Sequence, residues 1–255
     1  MVFIRRMVRA TCLLIHLLVG VVLALLLTGL ARMTYHTPYF QRTKQWWLKR
    51  LATCVGADLV IKGEPLTHQV LWVANHISWL DIGVLGGVGV PRFLSKIEVK
   101  KWPIIGWLAT QSGTLYIDRG QSGERAAEEV RQALRQGDRI ALFPEGTTTD
   151  GTTVKRFFAR IFAPALDTET PVQPVVLQYK TMNGERLDRV AYVGEQTLLD
   201  NIWAMMALPR FTAEIHFLPP ITTQGIERKA VALQCEELIR AEVLKADKVL
   251  STITK

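Results

Sequence analysis

The sequence has no P-loop, no complete G-x-G-x-x-G and no cluster of residues at metal-ligand spacing. No nucleotide cofactor and no catalytic metal are therefore expected. Zinc-finger spacing and RNA-binding aromatic signatures are also missing, which argues against nucleic acid as a partner. There is no G-x-S-x-G elbow for an activated serine. Internal repeats and low-complexity segments are absent. Cysteine is scarce: Cys12, Cys54 and Cys235 are far apart and odd in number. They read as small buried apolar residues in a reducing compartment. Acidic residues are in deficit, 23 against 31 Lys and Arg, so the net charge is +8 and the pI about 9.6. Such a balance seeks anions. With nucleic acid set aside, lipid head groups or phosphates are the expected partners.

What is present begins with hydrophobicity. The chain of 255 residues suits one domain with an appendage. It is 49% hydrophobic with a mean hydropathy of +0.15, high for a purely soluble protein. Residues 10–31 hold about 22 positions without a formal charge, enough to span a bilayer. The stretch is too long for an ordinary signal-peptide core, and no A-x-A cleavage site follows. A buried core helix is the plainer alternative. Arg5, Arg6 and Arg9 precede the stretch; Arg32, Arg42, Lys44, Lys49 and Arg50 follow it. Tyr35, Tyr39, Phe40, Trp46 and Trp47 lie between, as at a membrane interface. A spanning helix would put one basic flank on the wrong side. A second amphipathic helix, 43–55, folding back so that the pair lies in one leaflet, is the preferred reading. It places the protein on the cytoplasmic face of the inner membrane.

From residue 57 onward short apolar runs alternate with helical ones. Strands are expected at 58–62, 70–74, 92–95, 115–117, 140–143, 172–178, 189–193 and 213–217. Helices are expected at 82–89, 123–136 (capped by Ser122 and ended by Gly137) and 226–250, with a broken helix or loop across 96–109. The order implies an α/β fold with a mixed, partly parallel sheet flanked by helices. Two units follow: a membrane-associating helical pair, 1–55, and an α/β domain, 56–255.

Three strand ends carry chemistry. Asn75-His76 follows one, Asp118-Arg119-Gly120 another, and Pro144-Glu145-Gly146-Thr147 a third. In open α/β sheets ligands bind beyond the carboxyl ends of the strands. His76 and Asp81 are five residues apart, with Ser78 as a candidate N-cap that puts Asp81 in the first turn of a helix. A neutral imidazole takes a proton near neutral pH, and a carboxylate on its other nitrogen fixes the tautomer. A hydrogen-bonded structural histidine and a capping aspartate are the plainer alternative for that pair alone.

These residues resemble the glycerolipid acyltransferase family, the 1-acylglycerol-3-phosphate acyltransferases. Residues 75–81, Asn-His-Ile-Ser-Trp-Leu-Asp, look like its first block. Ser95-Lys96, Glu98, Trp102-Pro103, Gly106 and 113–119, Gly-Thr-Leu-Tyr-Ile-Asp-Arg, look like the second. Residues 143–147, Phe-Pro-Glu-Gly-Thr, look like the third, and 172–177, Val-Gln-Pro-Val-Val-Leu, the fourth. The resemblance implies acyl transfer from acyl-CoA or acyl-carrier protein to a lysolipid hydroxyl, with 1-acylglycerol-3-phosphate the first acceptor. It also implies a membrane-embedded N-terminal helical pair.

By that resemblance His76 is the base and Asp81 its orienter. Asn75, Ser78, Lys96, Arg119, Glu145, Gly146 and Thr147 are the substrate-contacting candidates. Arg119 has the fork for bidentate phosphate contact, and a structural arginine is its alternative. Lys96 meets phosphate or is solvated. Glu145 binds acceptor hydroxyls, braces the cleft or forms a salt bridge in its turn, while Gly146 permits close backbone approach. A Ser78 acyl-enzyme is the rival mechanism. The sequence departs from the family after Thr147: Thr148-Thr149-Asp150-Gly151 stands where many members carry a basic residue. Lys155 and Arg156 are the possible substitutes. The later Phe-Lys-x-Gly pattern is altered to Arg156-Phe157-Phe158-Ala159-Arg160. A lysolipid without a terminal phosphomonoester, such as lyso-ornithine lipid, or another lysophospholipid, is therefore an alternative acceptor. A non-catalytic lipid-binding protein and an acyl thioesterase are the alternatives to acyl transfer itself.

Overall fold

The computed structural model describes residues 1–118 and 124–253. Arg119 and Ser122 lie outside the described residues. The strands are β1 (Ala57–Lys62), β2 (Val70–Ala74), β3 (Arg92–Lys96), β4 (Leu115–Ile117), β5 (Arg139–Leu142), β6 (Val172–Thr181) and β7 (Phe211–Phe217). Among the described residues they form one sheet in the order β1-β7-β6-β2-β5-β3-β4. Neighbours run parallel except β6 and β7. The sheet is mixed and mostly parallel.

Residue alternation assigns each face of the sheet. In β2, Val70, Trp72 and Ala74 enter one core with Leu80, Val84 and Leu85 of α3 (Leu80–Gly89). Leu71 and Val73 enter the other, with Val130 and Leu134 of α6 (Glu124–Arg135), Ala165 of α7 (Ala163–Asp167) and Val231, Cys235 and Ile239 of α9 (Arg228–Ile253). Both faces of β2 are covered, which is why it reads as a continuous apolar run. Between the strands lie α4 (Ile97–Lys100) and α5 (Ile105–Gln111), the broken helix expected there.

The N-terminal segment is α1 (Val2–Ala24), continued by a π-helical turn, Leu25–Leu30, and then α2 (Pro38–Val55). Trp47 stacks on His16 at 4.7 Å and donates its indole N–H to the His16 carbonyl at 3.0 Å. Leu48, Ala52 and Val55 of α2 are buried, the last two in the same core as Trp72 and Leu85. Arg9 donates to the Leu208 carbonyl at 2.7 Å, and Arg5 to that of Ala207, just past α8 (Leu198–Met206). In the connector between Leu30 and α2, Arg92 stacks over Tyr35 at 4.5 Å, and His36 lies 3.5 Å from Asp138. The start of α1 and the connector that follows the apolar helix therefore touch the same globular body. Between them Leu14, Ile15, Leu18, Val22, Leu25 and Leu26 are exposed. Residues 2–30, in which an 18-residue window reaches a mean hydropathy of 2.7, are long and apolar enough to cross a membrane.

Three expectations need correction. Residues 189–193 are not a strand but a 3-10 turn, Asp188–Val190, and an extended loop. β7 already pairs on both sides, with β1 and β6, and residues 188–191 close on themselves through bonds from the Val190 and Ala191 N–H groups to the Leu187 and Asp188 carbonyls. Helix α8 is absent from the expected elements, although Thr197 and Asp200 form a capping box at its start. Only Cys235 is the buried cysteine expected of all three: Cys12 is exposed and Cys54 half-buried.

Candidate active site

β6 outruns its neighbour. Ala74, the last residue of β2, pairs with Val175, so the second half of β6 continues beside the loop 75–79. Asn75 fills the place of the next β2 residue. Its amide donates to the Leu177 carbonyl at 3.0 Å and accepts the Leu177 N–H at 2.8 Å. The chain then turns away from the sheet at His76.

The turn wraps around one carboxylate. Asp81 Oδ2 accepts the backbone N–H groups of Ile77 at 2.8 Å and Ser78 at 3.0 Å. The same oxygen lies 2.7 Å from His76 Nδ1. Oδ1 accepts the Tyr179 hydroxyl at 2.6 Å. Asp81 has no exposed surface, and a buried carboxylate needs such donors. Helix α3 starts two residues before the expected 82, but its N-cap is Trp79, one residue after the Ser78 candidate, and the Ser78 hydroxyl accepts the Leu80 N–H at 3.4 Å. Asp81 nonetheless falls in the first turn, which brings it back to the imidazole.

His76 is the partly open member. Its side chain keeps 21% of its surface exposed, and Nε2 bonds no described group. The ring stacks on Phe143 at 3.9 Å with 14° between planes. Behind it, Glu145 Oε1 accepts the His76 N–H at 2.9 Å and Oε2 accepts the Lys155 N–H at 2.8 Å. Burial raises the Glu145 pKa, and these two bonds partly oppose the rise. The Thr149 N–H donates to the His76 carbonyl at 2.8 Å, and the Tyr192 N–H to that of Ile77 at 2.9 Å. The loop after β5 and the loop carrying Tyr192 thus grip the backbone of residues 76 and 77. One nitrogen of the ring is fixed by a carboxylate and the other is presented to the outside.

The remaining candidates divide. β5 lies between β2 and β3, so the loops carrying His76 and Glu145 leave adjacent parallel strands. Glu145 braces two backbone amides and makes no salt bridge within its turn. Gly146 has φ +66, a backbone that favours glycine, and Thr147 is exposed. Lys96 is exposed at the carboxyl end of β3. Asp118 follows β4; Arg119 cannot be placed, being outside the described residues. Asn75 is 1% exposed with both amide groups on Leu177, and Ser78 has no exposed surface, its hydroxyl accepting the Leu80 N–H. Tyr179, Phe143, Thr149 and Tyr192 were missed. Tyr179 sits in an apolar run two residues past the fourth block, where periodicity marks it only as core. Among the described residues no group of three or more His, Cys, Asp or Glu could hold a metal ion.

Residues 52–178 match the acyltransferase family. A lyso-ornithine lipid O-acyltransferase of Pseudomonas aeruginosa is 38% identical over 205 residues, 80% of this chain and 79% of that protein. A 1-acyl-sn-glycerol-3-phosphate acyltransferase of Neisseria gonorrhoeae is 33% identical over 196 residues, 74% and 75% of the two chains. The crystal structure of the 1-acyl-sn-glycerophosphate acyltransferase PlsC of Thermotoga maritima superposes with a TM-score of 0.67, covering 95% of this chain and 98% of that one at 21% identity. That likeness shows the shared fold. On the extent and identity of these matches, the chain belongs to the acyltransferase family.

Proposed function

We propose that this acyltransferase moves a fatty acyl group from a thioester, acyl-CoA or acyl-carrier protein, to the free hydroxyl of lyso-ornithine lipid at a membrane surface. The observation that carries the chemistry is the 2.7 Å contact of His76 Nδ1 with the buried Asp81 carboxylate, with Nε2 left open. Nε2 takes the proton of the acceptor hydroxyl. The oxygen attacks the thioester carbonyl, and the tetrahedral intermediate collapses with loss of the C–S bond. The proton on Nε2 then passes to the departing thiolate. Asp81 holds the tautomer and stabilises the imidazolium between these steps. Glu145 keeps the His76 backbone in place from behind the ring.

The loop beside His76 supports an acceptor without a terminal phosphomonoester. Thr148 donates its hydroxyl to the Tyr192 carbonyl, and Thr149 is drawn to the His76 carbonyl. The ionisable residue there is Asp150, whose pKa is lowered first by the Thr152 N–H. Residues 147–151 thus bring no cation to the mouth. The P. aeruginosa relative named for lyso-ornithine lipid points the same way. The second reading, 1-acylglycerol-3-phosphate, is favoured by the exposed Lys96 and Lys155 and by the Neisseria relative.

The contacts on either side of the apolar helix support a helix lying in one leaflet. Residues 2–30 are about 43 Å long at 1.5 Å per residue, yet the chain is held at α8 before them and at Arg92 of β3, through Tyr35, after them. The basic flanks then share the cytoplasmic face. A mass-spectrometric panel with one acyl-CoA and several lysolipids tests the acceptor. Acylated ornithine lipid as the main product supports the proposal; phosphatidic acid as the main product selects the second reading. Free fatty acid alone would mean a thioesterase.

A further inference from the structure

The Asp81 carboxylate has a fourth donor that its own loop does not supply. Tyr179 reaches it from β6, 98 residues away, and closes on Oδ1 at 2.6 Å. Both side chains are buried. The Tyr179 ring is packed edge-on against Phe211 at 6.2 Å, and its carbonyl accepts the Leu187 N–H at 2.8 Å, so the phenol has little freedom. The other three donors, His76 Nδ1 and the amides of Ile77 and Ser78, all fall on Oδ2. Without Tyr179, Oδ1 would be a buried charged oxygen with no partner.

We infer that Tyr179 is a positioning residue of the catalytic pair, holding the Asp81 carboxylate turned so that Oδ2 faces His76. This inference rests on His76 being the base. The phenol makes no contact with the imidazole, so it acts through Asp81. It also shares out the negative charge. A carboxylate that gives part of its charge to a phenol draws less strongly on the imidazolium. Burial first, then the Asp81 charge and hydrogen bond, hold the phenol protonated as the donor this role requires. The titratable groups facing the pair are few among the described residues: Tyr179 on β6, Glu145 after β5, and Lys155 beyond it.

The test is the full-length Tyr179→Phe variant in vesicles, which removes one oxygen and keeps the ring. Turnover is expected to fall roughly ten- to a hundredfold, the range for a hydrogen bond to a buried charge. KM for both substrates stays within about twofold, since the phenol touches neither. The acid limb of the pH–rate profile moves up by about half a unit or more. Wild-type turnover with an unmoved acid limb would overturn the role, as would a loss of activity that only tracks lost thermal stability. Asp81→Asn with Tyr179→Phe provides the cycle. If the phenol works through Asp81, the double variant is within about twofold of Asp81→Asn alone; a further multiplicative loss contradicts it. Should Tyr179→Phe alone fail to fold, recovery of folding in the double variant supports the coupling to the buried charge, and no recovery overturns it. His76→Ala is measured in parallel. Full turnover there defeats the base assignment; loss there with a silent Tyr179→Phe defeats only the inference.

Discussion

Asn75 holds Leu177 by both of its backbone groups, as if the side-chain amide were one more residue of β2. The clamp fixes the point at which the chain leaves the sheet and so sets the position of His76. Asn75→Ala would orphan a buried N–H and a buried C=O. It is expected to cost about 3 kcal/mol in denaturant unfolding and to lower acyl transfer about a hundredfold through misplacement of the base. Unchanged stability and rate would show that the clamp is dispensable.

Glu145 gives a pH signature in stability. Its folded pKa lies above its unfolded value because it is buried. In the window just above the usual carboxylate pKa the folded state binds more protons than the unfolded one. Stability therefore falls as pH rises through that window. Glu145→Gln removes this slope. The difference in melting temperature, wild type minus variant, should grow as pH is lowered from 7 towards 4.5. A pH-independent difference would contradict the buried, ionised brace.

Lys44 gives the opposite window. Its ammonium is buried between α2 and the sheet, donating to the carbonyls of Pro91 at 3.1 Å and Ser112 at 3.0 Å. Burial lowers its pKa to about 7, with the Arg92 charge adding to the effect. Between that value and its ordinary one, the unfolded state binds more protons, so stability rises with pH from about 7 upward. Lys44→Met should flatten that rise in unfolding measured from pH 7 to 10. An unchanged slope would show that Lys44 stays charged in the fold.

The glycines of α3 are a packing surface. A Cβ on Gly87 would meet the Lys49 Cα at 2.9 Å, which is backbone and cannot swing away. Gly87→Ala should push α2 off α3 and destabilise by about 1–3 kcal/mol. Gly29→Ala, with nothing within 4 Å, should be near neutral in the same thermal melts. Equal effects at the two sites would exclude close helix packing as the reason.

These residues also show what sequence can carry. The strands with apolar runs on both faces, β2 and β5, were legible because complete burial leaves no polar position. His76 and Asp81 were legible because they lie close in the chain at a strand end, where a helix start brings them together. Asn75 and Ser78 looked like ligand contacts because a polar residue beside a histidine gives no sign of being spent on the backbone. Tyr179 was not legible at all: its partner is 98 residues away, and an aromatic in a strand looks like core. Gly86 and Gly87 carried no message alone; their meaning came from the facing Leu48 and Lys49. Local pattern marks the ends of elements, whereas cross-strand partners depend on the sheet order.

The central claim is that His76, steered by Asp81, removes the acceptor proton. The most direct measurement is single-turnover acyl transfer from radiolabelled acyl-CoA to lyso-ornithine lipid by full-length His76→Ala in vesicles, with folding checked by circular dichroism. A fall of about a thousandfold with unchanged fold and vesicle binding is predicted. Transfer at the wild-type rate by that variant would contradict the account.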